Sequence, residues 1–401
     1  MLSQSRSEPM IESSTSIAAS GHPLAFRTLA ARGASPLAGT GPGQGALRVE
    51  ARAIGGHQKE AVVEGADGAR WRLTSDEGPA LGGTDLAPFP LGFFSAGLIA
   101  DVLGRIVALA GAHEVRLEAA SLATEHRYAF TGSFFAGTGR GSAEAPALDL
   151  ALSSSAPAAT LKQLVRSALD ASPAIAALRT PLANTFALYV NGRRHPVEGV
   201  HAFPGGDVVD PFKAHAVAPA PLTGAADLPD LISKVHGAPP KSPSLPGQSE
   251  RIEIIIGGAG QATLPGSGVR AESWIAKPGG SRFALLADEA ANAARAPSGL
   301  ALYAGGIAFC YLTQLLRYIE YRKHKVRAVR VVQVNPFSAG ERAGALPVDT
   351  HLFVNADEPD DVMQKLLLYA ANTCYLHAAL GGACMPRVSL AINGAGAETL
   401  A

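Results

Sequence analysis

The chain has 401 residues, of which 47% are hydrophobic and 17% charged, and its 34 basic residues balance 34 acidic ones. This length predicts two domains, and the balanced charge argues against a surface for nucleic acid or an anionic membrane. Three cysteines are too few for a disulfide scaffold, no long apolar run is free of charge, and no basic start precedes an apolar block. We therefore expect a globular cytoplasmic protein with no nucleic-acid or membrane partner.

The first part of the chain changes from irregular to periodic near residue 46. Residues 1–45 are rich in Ser, Ala and Gly, which predicts an irregular segment. A unit at 46–203 then predicts strands at 46–56, 60–65, 69–78, 114–120, 126–133, 147–152 and 186–192, and helices at 90–111 and 158–178. The glycines at 137–141 predict a hairpin loop, because the segment lacks a GK[ST] sequence and no helix follows.

A proline-rich segment at 204–250 predicts a linker, with one helical candidate at Leu228 to Val235. The second unit, 251–401, repeats the order of the first. Its predicted strands lie at 251–258, 272–280, 281–289, 327–334, 349–356 and 387–394, and its two helices lie at 299–325 and 360–380.

Each helix of the second unit carries a cysteine. In the first, Leu300, Tyr303, Ile307 and Cys310 recur at helical spacing, which predicts a core helix with the thiol inside the fold. The second helix carries Cys374. A thiol pair in a reducing compartment is catalytic or inert, and inert buried cysteine is common, so both readings stay open.

Two blocks of the first unit align without internal gaps on blocks of the second, which predicts a tandem duplication. The segment from Ala87 lies on the segment from Ala296, and Asp101 then falls on Cys310. In a later block Ser172 falls on Cys374. A buried aspartate is costly without a partner, so this pattern predicts a shared site, with a thiol pair in one copy and a degenerate counterpart in the other.

The order β-β-β-α-β-β-α-β, with a cysteine on each helix of one copy, resembles the OsmC/Ohr family of osmotically inducible and organic hydroperoxide resistance proteins. GGTDLAPFPLGFFSAGLIAD, from Gly82, carries the turn, proline and glycine of the family motif, and PSGLALYAGGIAFC ends on Cys310. The resemblance implies an α+β fold in which two OsmC-like units form an intramolecular pseudo-dimer, with the central helices packed together. The chain would then be a monomer or a further homo-oligomer.

The resemblance also implies a chemistry. Cys310 would attack a small apolar, hydroperoxide-like substrate, Cys374 would be the resolving thiol, and a dithiol would be the reductant. It implies no cofactor and no metal, and the histidines are too scattered along the chain to predict a metal site. Cys384 lies outside the motif and is expected to be structural.

Two positions depart from the family pattern. Leu300, and Leu91 in the first unit, stand where the family's peroxidases have a glutamate, and Ala259 and His57 lie in the turns that would hold the arginine. Without a cation a buried thiol is a poor nucleophile, so slow peroxide reduction is expected. The candidate cations are His57, Arg270 and His377, and the residues expected to border the pocket are Leu91, Phe93, Leu300 and Tyr303.

These departures keep two further readings open. One is a cysteine-dependent hydrolase, and the other is a binding module for small apolar ligands whose thiols are vestigial. A hydrolytic triad of Asp101, Ser172 and His57 in the first unit is a third arrangement that only geometry can test.

Overall fold

The structure is a computed structural model that describes residues 16–28, 44–65, 68–211, 219–222, 230–237, 251–290 and 295–400. These residues form two β-sheets and seven α-helices, so the predicted α+β class is confirmed. The helices are α1 (Ile17–Ser20), α2 (Pro90–Ala112), α3 (Ala158–Asp170), α4 (Pro173–Arg179), α5 (Gly299–Arg322), α6 (Asp360–Thr373) and α7 (Tyr375–Gly381).

The strands are numbered in chain order. Those before residue 205 are β1 (Ala25–Arg27), β2 (Gln44–Gly55), β3 (Gln58–Glu64), β4 (Arg70–Ser75), β5 (Ala119–Thr131), β6 (Arg140–Ala143), β7 (Ala147–Ser153), β8 (Thr185–Val190), β9 (Arg193–His195) and β10 (His201–Ala202). The later ones are β11 (Ile232–His236), β12 (Ile252–Ala262), β13 (Gly268–Lys277), β14 (Arg282–Asp288), β15 (Val326–Ser338), β16 (Gly344–Ala345), β17 (Asp349–Ala356), β18 (Arg387–Ile392) and β19 (Glu398–Leu400).

Each sheet contains strands from both halves of the chain. The first sheet runs β1-β4-β3-β2-β15-β17-β8-β10, and the second runs β11-β14-β13-β12-β5-β7-β18-β19. The halves meet through an antiparallel pair in each sheet, β2 with β15 and β12 with β5, and again through a parallel pair, β8 with β17 and β7 with β18. Neither sheet is therefore confined to one of the two sequence units.

The two long helices lie between the sheets. Helix α2 contacts β12, β13 and β5 of the second sheet, whereas α5 contacts β2, β15 and β3 of the first. Both helices are long and apolar enough to cross a membrane, but 78% and 94% of their most apolar windows are buried inside the protein. In this fold they are core helices, as their all-round apolar pattern predicts.

The helices approach each other backbone to backbone at glycines. A Cβ on Gly97 of α2 would lie 2.4 Å from the backbone nitrogen of Tyr303, and one on Gly306 of α5 would lie 2.7 Å from the backbone nitrogen of Phe94. Only glycine permits this contact. Asp101 and Cys310 each occupy the twelfth position of their helix, four residues after these glycines.

Two helices predicted as continuous are broken at the positions aligned in the sequence. The helix predicted at 158–178 is α3 and α4, separated at Ser172, and the one predicted at 360–380 is α6 and α7, separated at Cys374. Pro173 explains the first break, because a residue before proline disfavours the helical conformation. Cys374 is extended, with φ −72° and ψ 111°, without a following proline.

Other predicted elements also differ. The strands predicted at 114–120 and 126–133 form one strand, β5, because its central residues pair with β12 on one side and β7 on the other. The helical candidate at Leu228 to Val235 is wrong where it is described, since β11 pairs there with β14 and sheet pairing overrides local propensity. Residues 228–229 lie outside the described residues. Within the segment predicted as irregular, α1 and β1 are ordered elements, and residues 1–15 and 29–43 lie outside the described residues.

Candidate functional site

The two predicted thiols are neighbours in the core. Cys310 in α5 is 2% exposed, and Cys374, at the break between α6 and α7, is completely buried. The two side chains are close enough to affect each other's ionisation, and both are free thiols. Burial raises the pKa of the Cys374 thiol well above its ordinary value, and the adjacent Cys310 raises it further. Cys374 is therefore a protonated thiol at neutral pH.

A cavity of about 360 Å³ lies beside Cys310. Its volume is in the range of small-molecule sites. Its apolar wall is formed by side chains from the start of α2 and from the second sheet, namely Phe89, Leu91, Ile254, Ile256 and Ile275. Its buried polar residues are Glu77, Thr313, Gln314 and Tyr375, and Arg251, Glu253 and Lys277 lie at its exposed rim. A small, largely apolar molecule could thus reach the sulfur of Cys310.

A buried ion pair adjoins the cavity. Lys59 Nζ, fully buried, donates to Thr313 Oγ1 at 2.8 Å and lies 3.2 Å from Glu77 Oε1, and Thr313 Oγ1 donates to Glu77 Oε1 at 2.5 Å. Thr313 follows Cys310 by three residues, so it lies one helical turn from the thiol. Removing two charges from water is costly even when they pair, and such pairs in a cavity mark candidate functional sites.

The loop after β4 holds Glu77 in place. One carboxylate, that of Asp76, accepts hydrogen bonds from the Glu77 backbone N–H at 2.8 Å, from the Thr84 hydroxyl at 2.6 Å and from the Leu86 N–H at 3.1 Å. At Gly83 a Cβ would lie 1.8 Å from the Glu77 carbonyl oxygen, so the loop can close only on glycine. The turn quoted for the family motif therefore fixes the backbone of Glu77.

On the other side, Cys374 contacts a chain of polar groups. His377 Nδ1 lies 3.1 Å from Cys374 Sγ, and His377 Nε2 lies 3.2 Å from Thr350 Oγ1. Gln333 Nε2 donates to the same Thr350 hydroxyl at 3.0 Å. Burial lowers the pKa of His377 to about 4, so its imidazole is neutral at neutral pH.

The counterpart positions form a different, carboxylate-based cluster. Asp101 is fully buried and accepts hydrogen bonds from the Ser172 hydroxyl at 2.5 Å and the Ala174 N–H at 3.3 Å, and it pairs with Arg105 at 3.3 Å. Burial raises the pKa of Asp101, with Arg105 opposing that shift. Burial, and then the neighbouring Asp101, raise the pKa of Glu289 to about 7.

Glu289 packs against α2 near Asp101. A Cβ on Gly104 would lie 2.3 Å from Glu289 Cγ. Gly104 is the fifteenth residue of α2, and Thr313 is the fifteenth residue of α5. The same helical position therefore has no side chain in one cluster and a hydroxyl group in the other. The side chain of Glu289 is thus packed against α2 within the Asp101 cluster.

Of the predicted pocket residues, Leu91 lines the cavity at Cys310, and the rest lie elsewhere. Leu300 and Tyr303 line a separate cavity of about 40 Å³, because they precede Cys310 by ten and seven residues, roughly 10–15 Å along the helix. Phe93 is fully buried and packs on Phe309, with ring centroids 5.4 Å apart. Helical spacing places Leu300, Tyr303 and Cys310 on one face of α5, but at different distances along the helix axis.

The predicted cationic partners also lie away from Cys310. His57 pairs with Glu320 at 3.2 Å, so it does not complete a triad with Asp101 and Ser172. Arg270 is half exposed and pairs with Glu272 at 3.3 Å. His377 contacts Cys374 rather than Cys310. In the part of the chain that is described, no group of three or more His, Cys, Asp or Glu side chains is arranged to hold a metal ion.

Sequence reasoning missed Lys59 and Glu77. Lys59 has the same strand parity as Ala61 and Val63, which are 1% and 0% exposed, so it faces the core. A lysine at an inward position of an alternating strand was a readable signal. The pairing of Lys59 with Glu77 and Thr313 was not readable, because it joins three separate elements.

No family model and no curated protein matches the chain. Among solved structures, the chain is similar to an OsmC-like hydroperoxide resistance protein from Jannaschia sp. CCS1, with 22% sequence identity and a TM-score of 0.25. The match covers 37% of this chain and 98% of that protein. The site is therefore interpreted from its own residues.

Proposed function

We propose that the chain is a thiol-dependent redox enzyme that reduces small apolar, hydroperoxide-like substrates. Cys310 is the attacking thiol and Cys374 the resolving thiol. The observation that carries the proposal is the position of Cys310, which borders an apolar cavity of about 360 Å³ and lies next to a second free thiol. The motif that resembles the OsmC/Ohr family supplies the substrate class.

The chemistry takes two steps. The Cys310 thiolate attacks the terminal oxygen of R–O–O–H, the O–O bond breaks, and the alkoxide leaves with a proton as R–OH, so that Cys310 becomes a sulfenic acid. Cys374 then attacks the Cys310 sulfur, water leaves, and a disulfide forms. A dithiol reductant returns both thiols. The second thiol keeps Cys310 from further oxidation.

Lys59, Glu77 and Thr313 take the place of the charged pair that the sequence lacks. Lys59 contacts Thr313, which lies one helical turn from Cys310, and a cation near a thiol favours the thiolate. Thr313 and Glu77 border the same cavity and can hydrogen bond the oxygens of a bound substrate. This cluster removes the reason for expecting a slow Cys310.

The molecular arrangement belongs to the same proposal. The chain consists of two OsmC-like units, 46–203 and 251–401, which form a pseudo-dimer, and 1–45 and 204–250 lie outside them. Support comes from the equal places of Asp101 and Cys310 on the two central helices, and of Ser172 and Cys374 at the two helix breaks. We further propose that it acts in the cytoplasm, where a dithiol reductant is available.

A ligand-binding role is the second candidate. The aliphatic wall of the cavity favours it, because apolar packing alone can hold a ligand without turnover. A cysteine-dependent hydrolase would use Cys374 and His377, which lie 3.1 Å apart. However, Cys374 is fully buried and does not border the cavity, which favours the redox role.

The test is a thiol count after one equivalent of cumene hydroperoxide, by alkylation and mass spectrometry. We expect the wild-type chain to lose two thiols, Cys310 and Cys374, and to keep Cys384. Cys310→Ser should lose none rapidly, Cys374→Ser should accumulate a sulfenic acid that dimedone traps, and Cys384→Ser should behave as wild type.

A variant pair tests the role of the buried cation. Lys59→Met should slow oxidation of Cys310 about tenfold near neutral pH, because the cation that favours the reactive thiolate is lost. Lys234→Met is the matched control, because Lys234 is 39% exposed and pairs with Asp85. Slow and equal oxidation of all three cysteines in the wild-type chain would refute the redox function.

A further inference from the structure

The resolving step requires Cys374 to lose a proton in a place where water does not reach. Its side chain has no exposed surface, and burial raises the pKa of its thiol. The cavity that serves Cys310 is not bordered by Cys374. A proton acceptor for this thiol must therefore come from the protein.

His377 is placed to be that acceptor. Its Nδ1 lies 3.1 Å from Cys374 Sγ, within hydrogen-bond reach of the S–H. Its ring is held between aromatic side chains, with centroids 5.2 Å from Phe186 and 5.4 Å from Tyr311. Its Nε2 meets the Thr350 hydroxyl at 3.2 Å, and Gln333 contacts that hydroxyl in turn.

His377 also borders solvent, on the side of Cys374 that is away from Cys310. It borders a surface groove of about 580 Å³, together with Phe186, His201 and Asn372. The cavity at Cys310 shares no lining residue with this groove. Cys374 thus lies between Cys310 on one side and a histidine with access to bulk water on the other.

We infer that His377 is the general base of the resolving step and that Thr350 and Gln333 position its ring; this inference rests on the proposed redox function. The S–H proton of Cys374 moves to His377 Nδ1 as the sulfur bonds to Cys310, and hydroxide leaves Cys310 and takes a proton from the cavity solvent to become water. The imidazolium then releases its proton to the groove. One S–S bond forms, one S–O bond breaks, and no charge remains.

The buried environment sets when this transfer occurs. Burial lowers the pKa of His377 to about 4, so the ring is neutral and can accept a proton. With so weak a base, transfer from a reduced Cys374 is unfavourable, and it proceeds only as the new S–S bond uses the electron pair. Cys374 is accordingly unreactive until Cys310 is a sulfenic acid.

The test separates the two steps in the intact chain. One equivalent of cumene hydroperoxide is added, Cys310 oxidation is followed by dimedone trapping, and disulfide formation is followed by loss of the second thiol. His377→Ala should leave the first rate unchanged and slow the second at least tenfold. Imidazole added to the solution should restore the second rate, because the groove admits it to the vacated position.

Three companion variants complete the design. His377→Asn keeps a polar group near the Nδ1 position without a base and should also be slow, and Thr350→Val should be slow without rescue by imidazole. His201→Ala is the matched control, because His201 is exposed in the same groove. It should form the disulfide at the wild-type rate with or without imidazole.

The outcomes are distinguishable. Disulfide formation at the wild-type rate in both His377 variants would overturn the inference. So would slow formation in His377→Ala that does not respond to imidazole, because that result indicates a packing role. A wild-type chain whose Cys310 is not oxidised at all would overturn the proposed function, and the inference with it.

Discussion

At the scale of single residues, the molecule contains two buried ionisable clusters on its central helices, and they have opposite character. Near Cys310, Lys59 and Glu77 form an ion pair beside an open cavity. Near Asp101, Glu289 adds a second carboxyl to a packed interior, and Arg105 is 32% exposed. The ion pair beside the cavity is suited to a reaction at Cys310. In contrast, folding disfavours ionisation of the carboxyl groups of Asp101 and Glu289.

The Asp101 cluster predicts a pH-dependent stability. Burial and Asp101 raise the pKa of Glu289 from 4.5 to about 7. Between these values the folded state binds more protons than the unfolded state, so stability should fall as the pH rises from about 4.5 to 7, by on the order of 3 kcal/mol. Glu289→Gln should flatten this slope, with the remainder due to Asp101.

Urea unfolding at pH 5 and pH 7 measures the effect. Glu118→Gln is the control, because Glu118 is an exposed residue just before β5, and it should keep the wild-type slope. A Glu289→Gln slope equal to the wild-type slope would show that Glu289 ionises normally in the folded chain.

The residues of the site fall into two groups. Some are identified by short stretches of sequence, and others come together only when the chain folds. Alignment of the chain with itself identifies Cys310, Cys374, Asp101 and Ser172, because short ungapped blocks carry them. The Lys59–Glu77–Thr313 cluster could not be read, since its members lie on β3, on a loop and on α5 and meet only after folding. Most of the pocket residues expected from one helical stripe lie away from the cavity at Cys310, because spacing along a helix does not show which segments pack around it.

At the scale of elements, the crossing of α2 and α5 determines the distance between the two clusters. Gly97 and Gly306 bring the backbones into contact, and Gly299 contacts the backbone nitrogen of Asp101 closely enough that a Cβ would lie 2.5 Å from it. A methyl group added at one of these glycines would therefore force α2 and α5 apart, and the sheets that pack on them would have to repack.

Gly97→Ala should destabilise the fold by about 1–3 kcal/mol, as overpacking of a tight core does. Gly111→Ala in the same helix has nothing within 4 Å of the new Cβ and should stabilise by up to about 1 kcal/mol through helix propensity. Thermal and urea unfolding of both variants would show the difference. Equal stability of the two would mean that the crossing can widen freely.

The sequence predicts an element correctly where its apolar residues follow a single helical or strand period. It fails where contacts between distant segments determine the secondary structure. The long helices and the β2-β3-β4 meander follow their apolar patterns closely. The break at Cys374 was not predictable, because the helical period continues through it and no proline marks it. The edge strand β11 exists through pairing with β14, a contact far away in sequence.

At the scale of the whole molecule, the sheets join the two halves of the chain. In the first sheet β15 lies between β2 and β17, and β17 lies between β15 and β8, so second-half strands are enclosed by first-half strands. The second sheet has the reverse exchange, with β5 and β7 between β12 and β18. Neither half can complete a sheet by itself.

Separate halves should therefore not fold alone. We expect fragments 1–244 and 245–401 to give the spectra of unfolded or aggregated chains when expressed separately, because the pairs β5–β7 and β15–β17 each lose the strands on both of their outer edges. Mixed after denaturation, they should recover the circular dichroism of the intact chain. A cooperative unfolding transition in either isolated fragment would contradict this prediction.

This exchange of strands could not be deduced from patterning alone. Alternation gives the number and approximate places of strands but not their neighbours, which depend on contacts between distant segments. The family resemblance supplied an expectation of a pseudo-dimer but not of these pairs; β2 with β15 and β5 with β12 are contacts between the two halves of the chain.

The two thiols differ in how firmly the chain holds them. Cys310 is in the middle of a 24-residue helix wedged between two sheets, whereas Cys374 is the joint between α6 and the seven-residue α7. Closing a covalent bond requires two sulfurs to come nearer than hydrogen-bonded atoms are. We therefore expect the short α7 to move more than α5 when the proposed disulfide forms, and to carry with it both His377 and Tyr375, which lines the cavity beside Cys310.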